Sequence, residues 1–277
     1  MAITFNESSV PAEPLAAGVA RQRLMDEWQL PGARIVLDRL ALASGSTMEM
    51  VVSTRNVAWF QVLEGACNLQ HASGMEQVTE AHIACLPPGF RGTALSANGA
   101  VLLYAEVPDA SQFDADFGKQ PQQVQVVDWT REPVLDSRDD ARRRIYVVTP
   151  GLSGTQAIKG EIIICPPGTK TWSQHHEGAE NFMYVLHGRG AAFANELPIP
   201  LRAGDLVYFG DGERQYLRND GAEDMIFVEC FVPGVYKTVW AEGAPVCTWQ
   251  PSGRDIRGGK PAREFEAQGS AGIPENV

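Results

Sequence analysis

Trp59-Phe60-Gln61-Val62-Leu63-Glu64-Gly65 and Phe182-Met183-Tyr184-Val185-Leu186-His187-Gly188 are one pattern written twice, 123 residues apart. Each is an apolar run rich in strand-favouring residues and closed by a glycine. The same spacing carries Gly45 onto Gly168, the run His82–Leu86 onto Asp205–Phe209, and Pro88-Gly89 onto Asp211-Gly212. After a two-residue insertion, Ala105-Glu106-Val107-Pro108 meets Cys230-Phe231-Val232-Pro233. A pattern recurring at fixed spacing marks one structural module used twice. The two copies occupy residues 33–108 and 145–233, and a duplicated β-barrel unit commonly packs like the halves of a dimer.

Working outward, short apolar runs at 34–42, 58–63, 82–86, 100–107, 160–165, 182–186, 205–209 and 224–232 alternate with Gly, Pro, Asn and Asp. They are too short for most helices and rich in Val, Ile, Leu, Phe and Tyr, so they read as strands of an all-β fold with two tandem barrels. Amphipathic spacing predicts short helices at 19–30 and 110–117. The expected organisation is an N-terminal arm (1–32), a first barrel (33–108), a linker (109–144), a second barrel (145–233) and a C-terminal tail (234–277) that wraps the surface. The triplet Arg142-Arg143-Arg144, near the end of the linker, reads as a solvated or inter-unit salt-bridged face rather than an anion site.

The 277 residues are 44% hydrophobic and 21% charged, a globular balance that excludes disorder and coiled coil as the main theme. A net charge of −11 disfavours a grip on nucleic-acid phosphates or anionic membranes. No apolar stretch is long enough to span a bilayer and no secretory pattern opens the chain, so a cytoplasmic location is expected. Cys67, Cys85, Cys165, Cys230 and Cys247 lack metal or redox spacing and read as buried thiols. The implied partner is a small molecule, and homo-oligomerisation is left open.

Polar residues concentrate in the second copy. Its segments Pro166-Pro167-Gly168, Gln174-His175-His176-Glu177-Gly178-Ala179-Glu180-Asn181, Tyr184-Val185-Leu186-His187-Gly188-Arg189-Gly190, Gly204-Asp205 and Gly212-Glu213-Arg214-Gln215 resemble the cupin family. That resemblance implies a jelly-roll barrel in which two motifs present three His and one Glu to a divalent metal. The glycine frame is present here, and the ligand types differ. Counting from Gly188 and Gly204 puts the third and fourth positions on Asn181 and Gln215. The first two fall on His175 and Glu177 or, with one more loop residue, on Gln174 and His176, because residues two apart on a strand share a face. The set His175, Glu177, Asn181 and Gln215 is a mixed N/O set, tolerable for Mn, Fe or Zn and weaker than three imidazoles and a carboxylate.

Within cupins, the two barrels, the stripped first copy and the glutamine at the fourth position resemble the ureidoglycine aminohydrolases, manganese-dependent enzymes that release ammonia from a ureido compound. That family's ligands fall on His175, Glu177, Asn181 and Gln215, of which Gln215 alone keeps its type. Its substrate-side Tyr, Tyr and Lys fall on Ala192, Phe227 and Phe231. In the first copy the ligand positions become Val52, Thr54, Ala58 and Gly92, so that barrel is expected to be metal-free.

At the mouth of the second barrel, His176, Tyr184, Arg214 and Tyr216 are candidate substrate-binding groups, with Glu213 nearby. Glu180 and Glu177 are candidate acid–base groups, since a carboxylate against an apolar wall keeps its proton to higher pH. Glu180 would point outward if Asn181 points in. The leading expectation is a small-molecule metabolic enzyme of the two-cupin type, a hydrolase, lyase or isomerase on a polar metabolite such as a ureido compound. The alternatives are a cupin-type metal-dependent dioxygenase and a non-catalytic small-molecule binder.

Overall fold

The computed structural model describes residues 2–119 and 122–266. Its contacts divide the chain into two compact units. The N-terminal unit comprises residues 7–129 with 152–157, and the C-terminal unit comprises the described parts of 1–6, 130–151 and 158–277.

In the N-terminal unit the main sheet runs Gln125–Asp128, His82–Leu86, Val57–His71, Ala100–Val107, Val36–Leu42, Val19–Met25, Glu13–Ala16. The long strand Val57–His71 continues past this sheet to pair with Gly74–Thr79 and with Arg91–Ser96, which also pairs with Ser46–Val51. Between these layers lie Met48, Met50, Val52, Phe60, Val62, Leu69, Leu86 and Leu102, all buried. The C-terminal unit has an eight-stranded sheet in the order Ile3–Asn6, Asp205–Phe209, Glu180–His187, Met225–Val232, Lys159–Cys165, Arg143–Val148, Leu135–Ser137, Trp249–Pro251. Facing it is a five-stranded sheet, Leu197–Arg202, Arg189–Ala194, Gln215–Arg218, Gln174–Glu177, Lys237–Trp240. Two sheets folded around one apolar layer make each unit a jelly-roll barrel.

The repeat appears as identical register inside each unit. Ala58 faces Leu86 and Trp59 faces Cys85; at the repeat spacing Asn181 faces Phe209 and Phe182 faces Tyr208. Tyr104 faces Asp38 as Glu229 faces Glu161, after the two-residue insertion. The repeated glycine has a steric cause. Gly65 and Gly188 both sit at φ +75°, and a side chain at either would strike a neighbouring carbonyl, that of Gly99 or of Asp224.

Several expectations are corrected. Residues 19–30 do not form a helix: Val19–Met25 is a strand paired to Val36–Leu42, because that partner offers a ladder along its whole length. Of 110–117 only Ala110–Gln112 is helical, as a 3₁₀ turn. The arm is not one element, since Ile3–Asn6 extends the C-terminal unit's sheet while Glu13–Ala16 and Val19–Met25 extend the N-terminal one. The expected linker contributes Gln125–Asp128 to the first sheet and Leu135–Ser137 and Arg143–Val148 to the second unit. The tail supplies Lys237–Trp240 and Trp249–Pro251 as strands and buries Phe265 against Tyr146; residues 267–277 lie outside the described residues. All five cysteines are free and buried. Among the described residues no helix is long and apolar enough to cross a membrane.

Candidate functional site

The first barrel is closed by its own side chains. The position matching Gln215 is Gly92, and the ring of Phe90 fills the space a side chain would take there. Around it stand Met50, Val52 and Ala58, all buried and apolar.

The second barrel has a polar interior on one side. Gln174 pairs with Gln215 in the strand ladder where Met50 pairs with Gly92, one residue beyond the constant spacing. That extra residue selects the register: Gln174 and His176 line the interior, and His176 is buried against the stacked rings of Phe231 and Tyr236, meeting them edge-on at 5.0 and 4.9 Å. His175 and Glu177 occupy the opposite face. They approach each other at 3.6 Å, and Glu177 is exposed beside Lys237. The expected pair His175 and Glu177 is therefore not brought together with Asn181 and Gln215, because one residue of loop turns every side chain of a strand over.

Asn181 and Gln215 are both buried and linked, Gln215 Nε2 donating to Asn181 Oδ1 at 3.1 Å and Asn181 Nδ2 donating to Glu229 Oε1 at 2.7 Å. Glu180 lies on the other face of its strand, buried, and accepts from the Tyr208 hydroxyl at 3.0 Å. Tyr184 is four residues further along that face. Tyr216 alternates outward from Gln215, stacks on Phe193 at 4.3 Å and donates to Glu196, while Arg214 is exposed. Glu180, Tyr184, Arg214 and Tyr216 are thus not gathered at the interior.

What gathers there instead is a set of charges: two arginines of the triplet together with Lys159, Glu161 and Glu229, which no sequence motif marked. Arg144 and Lys159 reach Glu161 at 2.9 and 3.6 Å, without a well-aligned hydrogen bond to either. Lys159 Nζ donates to the Tyr236 hydroxyl at 2.9 Å and lies over the rings of Tyr146, Phe231 and Tyr236. Arg142 is buried in a two-oxygen pairing with Asp140, at 2.8 to 3.0 Å. Arg142 and Arg144 both lie over Trp249. The Arg triplet is corrected accordingly: Arg142 and Arg144 face the interior, and Arg143 between them points away to pair with Asp224 at 3.0 Å. A signal was present in Lys159-Gly160-Glu161 and Glu229, charged residues set in otherwise apolar strands.

Burial sets the protonation states. Loss of hydration pushes Glu229 up to about 8, and the neighbouring Glu161 adds to the shift. Lys159 is pushed down to about 8 by the same loss, against the pull of Glu161. His176 is pushed down to about 3 by burial, then by Lys159 and Arg144, so its ring is neutral. The interior cations Arg142, Arg144 and Lys159 stand against the carboxylates of Asp140 and Glu161.

A cavity of about 40 Å³ lies against this wall, lined by Arg142, Arg144, Gln174, His176, Glu229 and Phe231 from the barrel and by Tyr236, Thr238, Trp240, Cys247 and Trp249 from the chain after it. The inward set Gln174, His176, Asn181 and Gln215 does not fit a divalent cation. It holds one imidazole and no carboxylate, both polar atoms of Asn181 are already bonded, and the cations Arg144 and Lys159, which share the carboxylate of Glu161, stand close by. Among the described residues no group of three His, Cys, Asp or Glu stands at metal-binding distance.

Comparison with known proteins agrees with the architecture. Residues 161–231 match the model of the cupin domain. An oxalate-binding protein of Thermotoga maritima is 31% identical over 67 residues, which is 24% of this chain and 55% of that protein, so the match spans about half the length of that relative. Among solved structures, the oxalate decarboxylase of Lactobacillus farciminis in complex with formate aligns at a TM-score of 0.68 and 13% identity, covering 86% of this chain and 88% of that one. A variant of Bacillus subtilis oxalate decarboxylase aligns at a TM-score of 0.66 and 16% identity, covering 86% and 78%. Strand order, register and these likenesses together give the chain the cupin fold, twice over.

Proposed function

We propose that the chain is a two-cupin protein of small-molecule metabolism whose C-terminal barrel takes a compact carboxylate of the oxalate or formate class. The observation that carries this reading is the Arg144 guanidinium on the wall of a cavity of about 40 Å³, its Nε buried and without a hydrogen-bond partner. Buried guanidinium is the group best matched to a carboxylate, and a space this small admits few heavy atoms. The names of the relatives, an oxalate-binding protein and oxalate decarboxylases, support the same class.

The competing reading is a metal-dependent hydrolase acting on a ureido compound. It rests on Gln215, whose Oε1 is buried without a partner beside the interior. A thermal-shift series with oxalate, formate, malonate, allantoate and ureidoglycolate, with metal content measured on the same sample, separates the two. The carboxylate reading expects the midpoint to rise with oxalate or formate by the ligand-linkage relation, about 2.7 kcal/mol at a hundredfold excess over Kd. A rise with the ureido compounds alone would replace it with the hydrolase reading.

A further inference from the structure

We infer that the C-terminal barrel holds its oxyanion directly on Arg144, Trp240 and His176, with no metal ion between protein and ligand. The inference deepens the carboxylate reading and rests on it. Arg144 Nε, Trp240 Nε1 and His176 Nε2 are all buried and all lack a hydrogen-bond partner, and their three residues line one cavity. A buried donor left without an acceptor is destabilising, so three on one cavity call for an occupant.

The chemistry of those atoms states what the occupant is. Arg Nε and Trp Nε1 donate and never accept. His176 Nδ1 stands 3.2 Å from the Thr238 hydroxyl. When that hydroxyl donates to Nδ1, the ring's single proton resides on Nε2, which becomes the third donor. A water molecule must donate as well as accept, and three donors on one cavity leave it short of acceptors. A carboxylate offers acceptors alone. Arg144 spends its terminal nitrogens on Glu161 and the Tyr146 hydroxyl and leaves Nε for the ligand, and the rings of Phe231, Trp240, Tyr236 and Trp249 make the walls flat, which suits a planar ion. Arg142 does not compete for the ligand, because Asp140 already occupies its donors. In this arrangement the imidazole that a cupin would turn toward a metal serves as a hydrogen-bond donor.

The test is calorimetric titration of the full chain with sodium formate and with sodium oxalate, before and after exhaustive chelation, with residual metal quantified. The inference expects the chelated protein to bind one or both with unchanged affinity. Trp240→Phe keeps a ring and removes one donor, and His176→Phe does the same on the neighbouring strand. Each should weaken binding about tenfold, the equivalent of one lost hydrogen bond to a charged group. Thermal melts of both variants check that the fold is retained. Should binding appear only after Mn²⁺, Fe²⁺ or Zn²⁺ is restored, the metal-free inference falls while the carboxylate reading stands. Binding by the chelated protein that neither variant weakens places the ligand elsewhere and overturns the inference. No binding of either anion under any condition overturns both.

Discussion

Lys159 shows how a single buried charge reports on its surroundings. Its amine sits among three aromatic rings with Glu161 as its ionic partner, and burial outweighs that partner enough to bring the pKa down to about 8. Between about pH 8 and the unfolded value of 10.5 the unfolded chain binds the extra proton, so this group makes stability rise with pH across that window. Below pH 8 both states carry the charge and the contribution is flat at its least favourable. Lys159→Met removes the group and leaves Glu161 with Arg144. Urea unfolding of both proteins at pH 7.5 and pH 10 should show the wild type gaining on the variant by on the order of 1–3 kcal/mol; parallel profiles would mean that the amine is hydrated. At this scale Asn181 and Gln215 were legible, because the glycine frame counts off their positions. Lys159, Glu161 and Glu229 were not, because strand patterns are read through their apolar members and a paired buried charge looks like an interruption.

The element that decides the site is the four-residue strand Gln174–Glu177. Its pairing with Lys237–Trp240 turns His176 inward beside Thr238, and the sequence left this register open because the length of the preceding loop carries no periodic signal. The same difficulty hid the tail. Lys237–Trp240, Trp249–Pro251 and Phe265 have no internal alternation long enough to declare themselves, and they acquire structure from the strands and rings they meet. Residues 19–30 failed for a related reason, since a short amphipathic stretch satisfies both periods and its strand partner settles the matter. If the tail belongs to the core, Phe265→Ala should cost about 2–3 kcal/mol, less than a central phenylalanine because the ring is at the edge of the cluster. Chemical denaturation measures this directly, and a loss below about 0.5 kcal/mol would show that the segment only rests on the surface.

Across the whole molecule the repeat was legible because duplication preserves register, and register is what both copies need to keep one face apolar. What the repeat could not announce is how differently the two interiors are filled. One barrel places Phe90 over Gly92 and surrounds it with Met50 and Val52; the other keeps Gln215, Gln174 and His176 at the matching places and adds a wall of buried charge. Packing and binding should therefore separate by unit. Phe90→Ala opens a cavity in the first barrel and should cost about 3–5 kcal/mol, while oxalate or formate titrates the surviving folded protein with unchanged affinity. His176→Phe exchanges one buried ring for another and should cost less than about 2 kcal/mol, while affinity falls about tenfold. Denaturation and calorimetry on the same two variants give four numbers, and the crossed pattern is the expectation. If Phe90→Ala weakens binding as much as His176→Phe does, the asymmetry between the interiors does not determine where the ligand sits, and the assignment of function to the C-terminal barrel alone has to be given up.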